Sequence, residues 1–252
     1  MGKTTSSINS SQQIIPFLAN GFRLQGTLHL PSIKQPPLVV GSHGLYADSN
    51  SPKQIALAKA CNALGIAYFR FDHRGCGKSE GEFNEVTSLQ GRQNDLLKAV
   101  KTIAALKNIN NNKLALFGSS MGGAVCLSAA IKLNVSGLIT FAAPVRSRTI
   151  LSNPHLQANR AHKTSFSLKP DLLEFDISSS LTLIRNILIF HGDADEVVPF
   201  SDAQEIYQKA GSLKKMIIQK NGDHQMSLKY HQDEFVEKSS QWFKRLFNNS
   251  DK

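Results

Sequence analysis

Three cysteines in 252 residues, Cys61, Cys76 and Cys126, are too few and too scattered to staple a secreted fold, and their odd number leaves one unmatched. Cys61 and Cys126 fall in apolar helical stretches and read as buried, reduced thiols. Long apolar runs are also missing: nothing approaches the ~20 residues of a membrane span, and the N-terminus, MGKTTSSINSSQQ, has no apolar signal-peptide core. Gly2 with Ser6 fits a myristoylation pattern only loosely. These absences predict a soluble, cytoplasmic protein without stable membrane insertion. Acidic residues are outnumbered, 19 against 29 Lys and Arg, for a net charge of +10. The cations are dispersed, with no reader motif and no basic stripe interleaved with aromatics, so no nucleic-acid partner is expected and solubility is the simpler account. Metal-ligand spacings such as H-E-x-x-H are absent. So are G-x-G-x-x-G and the P-loop, and no cofactor or metal is implied.

What is present is alternation. Hydrophobic residues make up 41% of the chain and charged ones 19%, enough for one sizeable core and too little charge for disorder. Residues 1–11 are polar and read as a flexible tail; residues 12–252 read as a single domain. Two β-like runs, 13–18 and 22–30, flank Asn20-Gly21, a hairpin turn signal. Short apolar strands follow at 38–40, 67–71, 114–117, 137–141, 187–190 and 215–219. Helices are predicted over 52–64, 88–106, 124–132, 201–210 and 233–247. Such alternation predicts an α/β fold, a mostly parallel sheet with helices on both faces. The sites of such sheets gather at the carboxyl ends of the strands.

The chain is organised around KLALFGSSMGG, residues 113–123. A strand that runs into a helix through G-x-S-x-G is a nucleophile elbow. Its tight turn strains Ser120, and Gly118, Gly122 and Gly123 omit the side chains that would keep strand and helix apart. The Ser120 hydroxyl then projects from the strand end, and the Met121 amide points where an oxyanion would form. A serine needs a base, an orienting acid and oxyanion donors. His224 follows the last strand directly behind a glycine turn and is the predicted base. The preceding strand runs into HGDADEVVP, which offers two acids. Asp195, followed by apolar Val197-Val198-Pro199, is the better candidate and Asp193 a helper or cap. The order Ser120, Asp195, His224 is the one used by α/β-hydrolases.

With SHG (42–44), FDHRGCGKSEG (71–81), GSSMGG, HGDADEVVP and NGDH, residues 24–247 resemble an α/β-hydrolase of the serine esterase, monoacylglycerol lipase and lysophospholipase type. The resemblance implies an oxyanion hole formed by the amides of Leu45 and Met121, with His43 shaping that loop. It also implies a structural turn at residues 72–79 and a lid that sets substrate choice. The lid would be the insertion at residues 145–186, where strand–helix alternation stops. Its Arg146, Arg148, Arg160, Lys163, Lys169 and Arg185 leave open an anionic acid or head group at the entrance, against a merely solvated surface. Leu168, Leu172, Leu173 and Phe175 either line an acyl pocket or dock the lid.

The expected activity is therefore a serine carboxylic ester hydrolase acting through an acyl-enzyme on a small-molecule ester, anionic or bearing an acyl chain. The same machinery opens thioesters and peptides, and acyl transfer to an alcohol is a further outcome. A catalytically silent binding protein on this fold is the contrasting class. Oligomeric state is not readable.

Overall fold

The computed structural model describes residues 11–148 and 173–249. β1 (Ser11–Ala19) and β2 (Phe22–Leu30) form the expected hairpin, and both turn residues, Asn20 and Gly21, take the positive φ that a two-residue hairpin turn demands. Five strands follow that are buried along their whole length: β3 (Leu38–Ser42), β4 (Ala67–Phe71), β5 (Leu114–Ser119), β6 (Gly137–Phe141) and β7 (Ile187–Gly192). Burial on both faces is why they read as continuous apolar runs rather than alternating ones. β8 (Lys214–Gln219) closes the far edge. The strand order is β1-β2-β4-β3-β5-β6-β7-β8. Pairings β1–β2 and β2–β4 are antiparallel and the remainder parallel. The predicted α/β, mostly parallel sheet is what the chain forms.

The α-helices named among the described residues are α1 (Pro52–Ala63), α2 (Phe83–Val86), α3 (Leu89–Ala104), α4 (Met121–Ala130), α5 (Phe200–Lys209) and α6 (Lys229–Asn249). Alternate strand residues serve opposite layers. Leu38 and Val40 pack among Leu96, Ala99 and Ile103 of α3, Ala124 of α4, and Ala203 and Ile206 of α5. Val39 faces the other way, among Leu57 and Cys61 of α1 and Phe235, Trp242 and Phe243 of α6. There Phe235 lies 5.3 Å from the Phe117 ring and 5.2 Å from that of Phe190. Each such fully buried ring contributes about 2–3 kcal/mol relative to exposure. Cys61, Cys76 and Cys126 are all buried and unpaired with one another. No helix among the described residues is long and apolar enough to cross a membrane.

The chain moves from β3 out to β4 and then returns to the opposite side of β3 as β5. The direction of winding therefore reverses between β3 and β5, where a crevice opens at the strands' carboxyl ends. Ser42 and Gly118 are register partners there, so the segments that leave these two strands start side by side.

Some predicted boundaries move. α4 starts at Met121, three residues earlier than predicted, because Gly122 and Gly123 are helical despite their weak propensity. Tertiary contact explains it: a Cβ on Gly122 would lie 2.2 Å from the Ser42 carbonyl oxygen, so only glycine lets the helix press onto the end of β3. α6 begins at Lys229 rather than 233, and α2, a single turn, carried no sequence signal. The predicted tail falls almost wholly outside the described residues, as does residues 149–172 of the predicted lid. Its two described ends hold each other: Ser147 N–H donates to Phe175 O (3.0 Å) and Ile177 N–H to Val145 O (3.1 Å).

Candidate active site

The elbow begins with backbone strain. Ser120 has φ 54° and ψ −126°, in the left-handed half of the map that L residues avoid. Its amide donates to Phe141 O at 2.8 Å, which anchors the turn to β6. A Cβ on Gly118 would come within 2.2 Å of the Gly122 carbonyl oxygen, so the strand and the first turn of α4 meet backbone to backbone. Ser120 itself is half-buried.

The loop after β8 brings His224 to this serine. Its Nε2 lies 3.1 Å from Ser120 Oγ, across 104 residues of sequence. On its other side, Nδ1 contacts both carboxylate oxygens of Asp195, at 3.0 and 2.9 Å. The Asp195 side chain is fully buried and that of His224 is 11% exposed. Asp195 Oδ1 also accepts the amides of Val197 (2.9 Å) and Val198 (2.8 Å). Burial pushes the Asp195 carboxyl up, but the His224 hydrogen bond and charge and these two amides outweigh it, and the group sits below the usual carboxylate range. Asp195 is thus held ionised and aimed at Nδ1, which leaves Nε2 to face the serine. Asp193 instead accepts the Asn221 amide (2.5 Å) and caps the neighbouring loop.

Met121 and Leu45, whose amides the sequence resemblance named as oxyanion donors, both lie beside this serine. Met121 is the first residue of α4, where an amide has no intrahelical acceptor. Leu45 lies in the loop after β3; a Cβ on its neighbour Gly44 would be 3.5 Å from Ser120 Cβ, so this loop rests against the serine. His43 Nδ1 donates to Gly44 O (2.8 Å) while its Nε2 accepts the His73 amide (3.1 Å). Complete burial, with His73 and Arg92 nearby, holds His43 well below its ordinary value. It is neutral, and both ring nitrogens are committed to backbone. The structure thus brings together Ser120, Asp195, His224, Leu45 and Met121, the five residues singled out in the sequence.

Three neighbours gave no sequence signal. Lys53, on the first turn of α1, donates to Gln225 O (2.8 Å), and its ammonium sits 4.8 Å from the Phe141 ring centre. Burial lowers it to about 8, against the opposing pull of Asp223 and Asp195. His191 donates from Nε2 to Val198 O (2.9 Å), bracing the loop that presents Asp195. Glu196 accepts the His224 amide at 3.2 Å. All three act through loop backbone, which no periodicity or spacing announces.

An apolar wall adjoins the amides. Met121 and Leu173 form a small buried cluster joined by Leu45, Phe83, Leu89 and Phe175. Leu173 and Phe175 of the insertion therefore pack with Met121 and Leu45, while Leu168 and Leu172 lie outside the described residues. Of the insertion's cations, Arg146 is committed elsewhere. It makes a bidentate pair with Glu205 (2.6 and 2.8 Å) and bonds Asp176 (3.0 Å). Those bonds draw Glu205 down to about 2. Arg160, Lys163 and Lys169 lie outside the described residues.

The family model described as serine aminopeptidase, S33 (Hydrolase_4) matches residues 34–180, more than half of the chain. Protein YfhR of Salmonella typhi is 30% identical over 164 residues, which cover 63% of this chain and 55% of that protein, so the match spans about half of the relative. The mitochondrial palmitoyl-protein thioesterase ABHD10 of Mus musculus is 27% identical over 216 residues, 77% of this chain and 70% of that one. Among solved structures, Est1E of Butyrivibrio proteoclasticus with ferulic acid bound superposes with a TM-score of 0.72 at 20% identity, covering 94% of this chain and 98% of that one.

Proposed function

The chain belongs to the serine aminopeptidase, S33 family of α/β-hydrolases, and from that premise we propose that it is a serine hydrolase that cleaves carboxylic esters through an acyl-enzyme. The observation that carries the proposal is the unbroken line Ser120 Oγ, His224 Nε2, His224 Nδ1, Asp195, with contacts of 3.1 and 2.9 Å, at a strained, half-buried turn. Ser120 Oγ attacks the ester carbonyl as His224 Nε2 takes its proton. Asp195 keeps the imidazole oriented and offsets its positive charge. The amides of Leu45 and Met121 hold the oxyanion, a contribution of several kcal/mol to the barrier. His224 returns the proton to the departing alkoxide, and an alcohol leaves. Water, deprotonated by His224, then attacks the acyl-enzyme and frees the acid.

The cluster of Met121, Leu173, Leu45 and Phe175 beside the amides favours an apolar acyl group. The pairing of Arg146 with Glu205 removes one of the cations that would have favoured an anionic one. Similarity to a palmitoyl-protein thioesterase supports a second reading, in which the same acyl group arrives on sulfur. The test is p-nitrophenyl butyrate hydrolysis by the wild type and Ser120→Ala, followed by a butyrate-to-palmitate series of matched oxygen esters, thioesters and amides. Turnover lost in the variant, with ester or thioester kcat/KM rising with acyl length, is expected. Equal background rates in both proteins, with no fluorophosphonate label on Ser120, would sink the proposal; preference for the amides would move it to a peptidase.

A further inference from the structure

The two proposed oxyanion amides are aimed by different means. The amide of Met121 shares its peptide unit with the Ser120 carbonyl, which accepts the amides of Gly123 (2.7 Å) and Ala124 (3.4 Å) within the first turn of α4. That plane is held by its own helix. The amide of Leu45 shares its unit with the Gly44 carbonyl, in a loop where one long backbone bond, from the Ala47 amide at 3.4 Å, reaches that oxygen. The shorter contacts come from side chains: Gly44 O accepts from His43 Nδ1 at 2.8 Å and from Arg92 Nη1 at 3.1 Å, while Leu45 O accepts from Arg92 Nη2 at 2.9 Å. In a trans peptide the N–H points opposite to the C=O. Whatever fixes Gly44 O on one side therefore fixes the direction of the Leu45 N–H on the other.

Arg92 is an expensive way to do this. It is completely buried on α3, and among the described residues none of its hydrogen bonds goes to a carboxylate; apart from the loop carbonyls it reaches Cys76 Sγ at 3.2 Å. Nearby Asp95 is taken by Arg74 at 2.6 and 2.9 Å. A buried guanidinium costs several kcal/mol in lost hydration, a cost that an apolar residue at this position would not carry. Its planar fork, however, spans two successive carbonyls as a flexible ammonium does not. A cation on a carbonyl also draws electron density from the amide behind it and strengthens that N–H as a donor.

Resting on the serine-hydrolase reading above, we propose that Arg92 is a positioning residue of the oxyanion hole, clamping the Gly44–Leu45 peptide so that the Leu45 N–H meets the oxyanion. Such a clamp acts on the transition state and leaves ground-state binding nearly unchanged. Arg92→Met removes every donor; Arg92→Lys keeps the charge but loses the fork. Each variant is assayed on a short-chain ester, with kcat counted per active site titrated by fluorophosphonate, so that unfolded protein does not enter. We expect kcat to fall about 10–100-fold in Arg92→Met, and less in Arg92→Lys, with KM within about threefold of wild type. The Ki of a trifluoromethyl ketone, which forms the oxyanion on Ser120, should rise by the same factor. If Arg92→Met does not fold, Arg92→Lys decides by the same readout. Titrated kcat within threefold of wild type, or a rise in KM alone, would overturn the proposal while leaving the hydrolase standing. A wild type without turnover on esters, thioesters or amides would overturn both.

Discussion

Two serine–histidine–aspartate arrays stand among the described residues, and the proposed function assigns catalysis to one of them. In the crevice, Ser120, His224 and Asp195 are joined at 3.1 and 2.9 Å. Behind the loop after β3, Ser42 Oγ lies 2.8 Å from His73 Nε2, and His73 Nδ1 lies 3.4 Å from Asp95 Oδ2. Residue types and connectivity match; the surroundings do not. Ser120 sits on a strained turn that points it outward, whereas Ser42 is the last residue of β3, in regular pairing with Gly118 and wholly buried. Asp195 is shared between His224 and two amides. Asp95 is claimed chiefly by Arg74, which leaves His73 the longer contact. The inner array spends its polarity on architecture. Together with His43 and Arg92 it satisfies the buried groups behind Ser42, Gly44 and Leu45, where an unmet donor or acceptor would cost about 1–3 kcal/mol. Connectivity makes a hydrogen-bonded triad, and access to a substrate carbonyl makes a catalytic one.

Substitution of the two serines tests this contrast most severely. Ser120→Ala should lower kcat by at least about 10³-fold and abolish fluorophosphonate labelling. Ser42→Ala should label normally and keep kcat within about tenfold, at a stability loss of about 1 kcal/mol. Comparable kinetic losses in both would erase the distinction. The aspartates should separate by observable: Asp195→Asn lowers kcat by about 10⁴-fold at nearly constant Tm, because the amide holds the imidazole in the wrong tautomer. Asp95→Asn strands the buried Arg74 guanidinium and should cost about 3 kcal/mol, or about 10 °C in Tm, with titrated kcat changing far less. Thermal melts read against kinetics on the same preparations decide it.

The smallest effect is in pH. Burial holds His73 at about 4, partly offset by its Asp95 hydrogen bond, and burial with Arg70 nearby holds His29 at about 4, against 6.5 for a free imidazole. Between those values the unfolded chain takes up more protons than the folded one, so stability present above pH 6.5 is lost as pH falls toward 4. Tm should drop steadily across that window, and His73→Gln should show a shallower slope from a lower starting Tm. An unchanged slope would mean that His73 is not among the groups responsible.

Much of this was legible in advance because it rests on local physics. Whole-strand apolar runs marked β3 to β7, and Asn20-Gly21 marked the hairpin. The glycines around Ser120 marked the elbow, since no other residue allows the 2.2 Å approaches found at positions 118 and 122. His224 and Asp195 were recognisable by their place after β8 and β7. The inner array was not: His73 and Arg74 read as parts of a glycine-rich turn, and Arg92 and Asp95 as polar residues on an otherwise ordinary amphipathic helix. Their partners lie 16 to 49 residues away, and nothing in a helical period says whether a polar residue meets solvent or another element's backbone.

By itself, then, the sequence determined the kind of sheet, the place of the elbow and the side chains able to serve it, because turn strain, strand burial and helix periodicity are set within a few residues. The tertiary structure alone decided the distances at which Ser120, His224 and Asp195 meet, and which buried cation holds the carbonyls of Gly44 and Leu45. Those choices depend on solvent access and on contacts spanning 29 to 104 residues, and neither exists until the layers have packed.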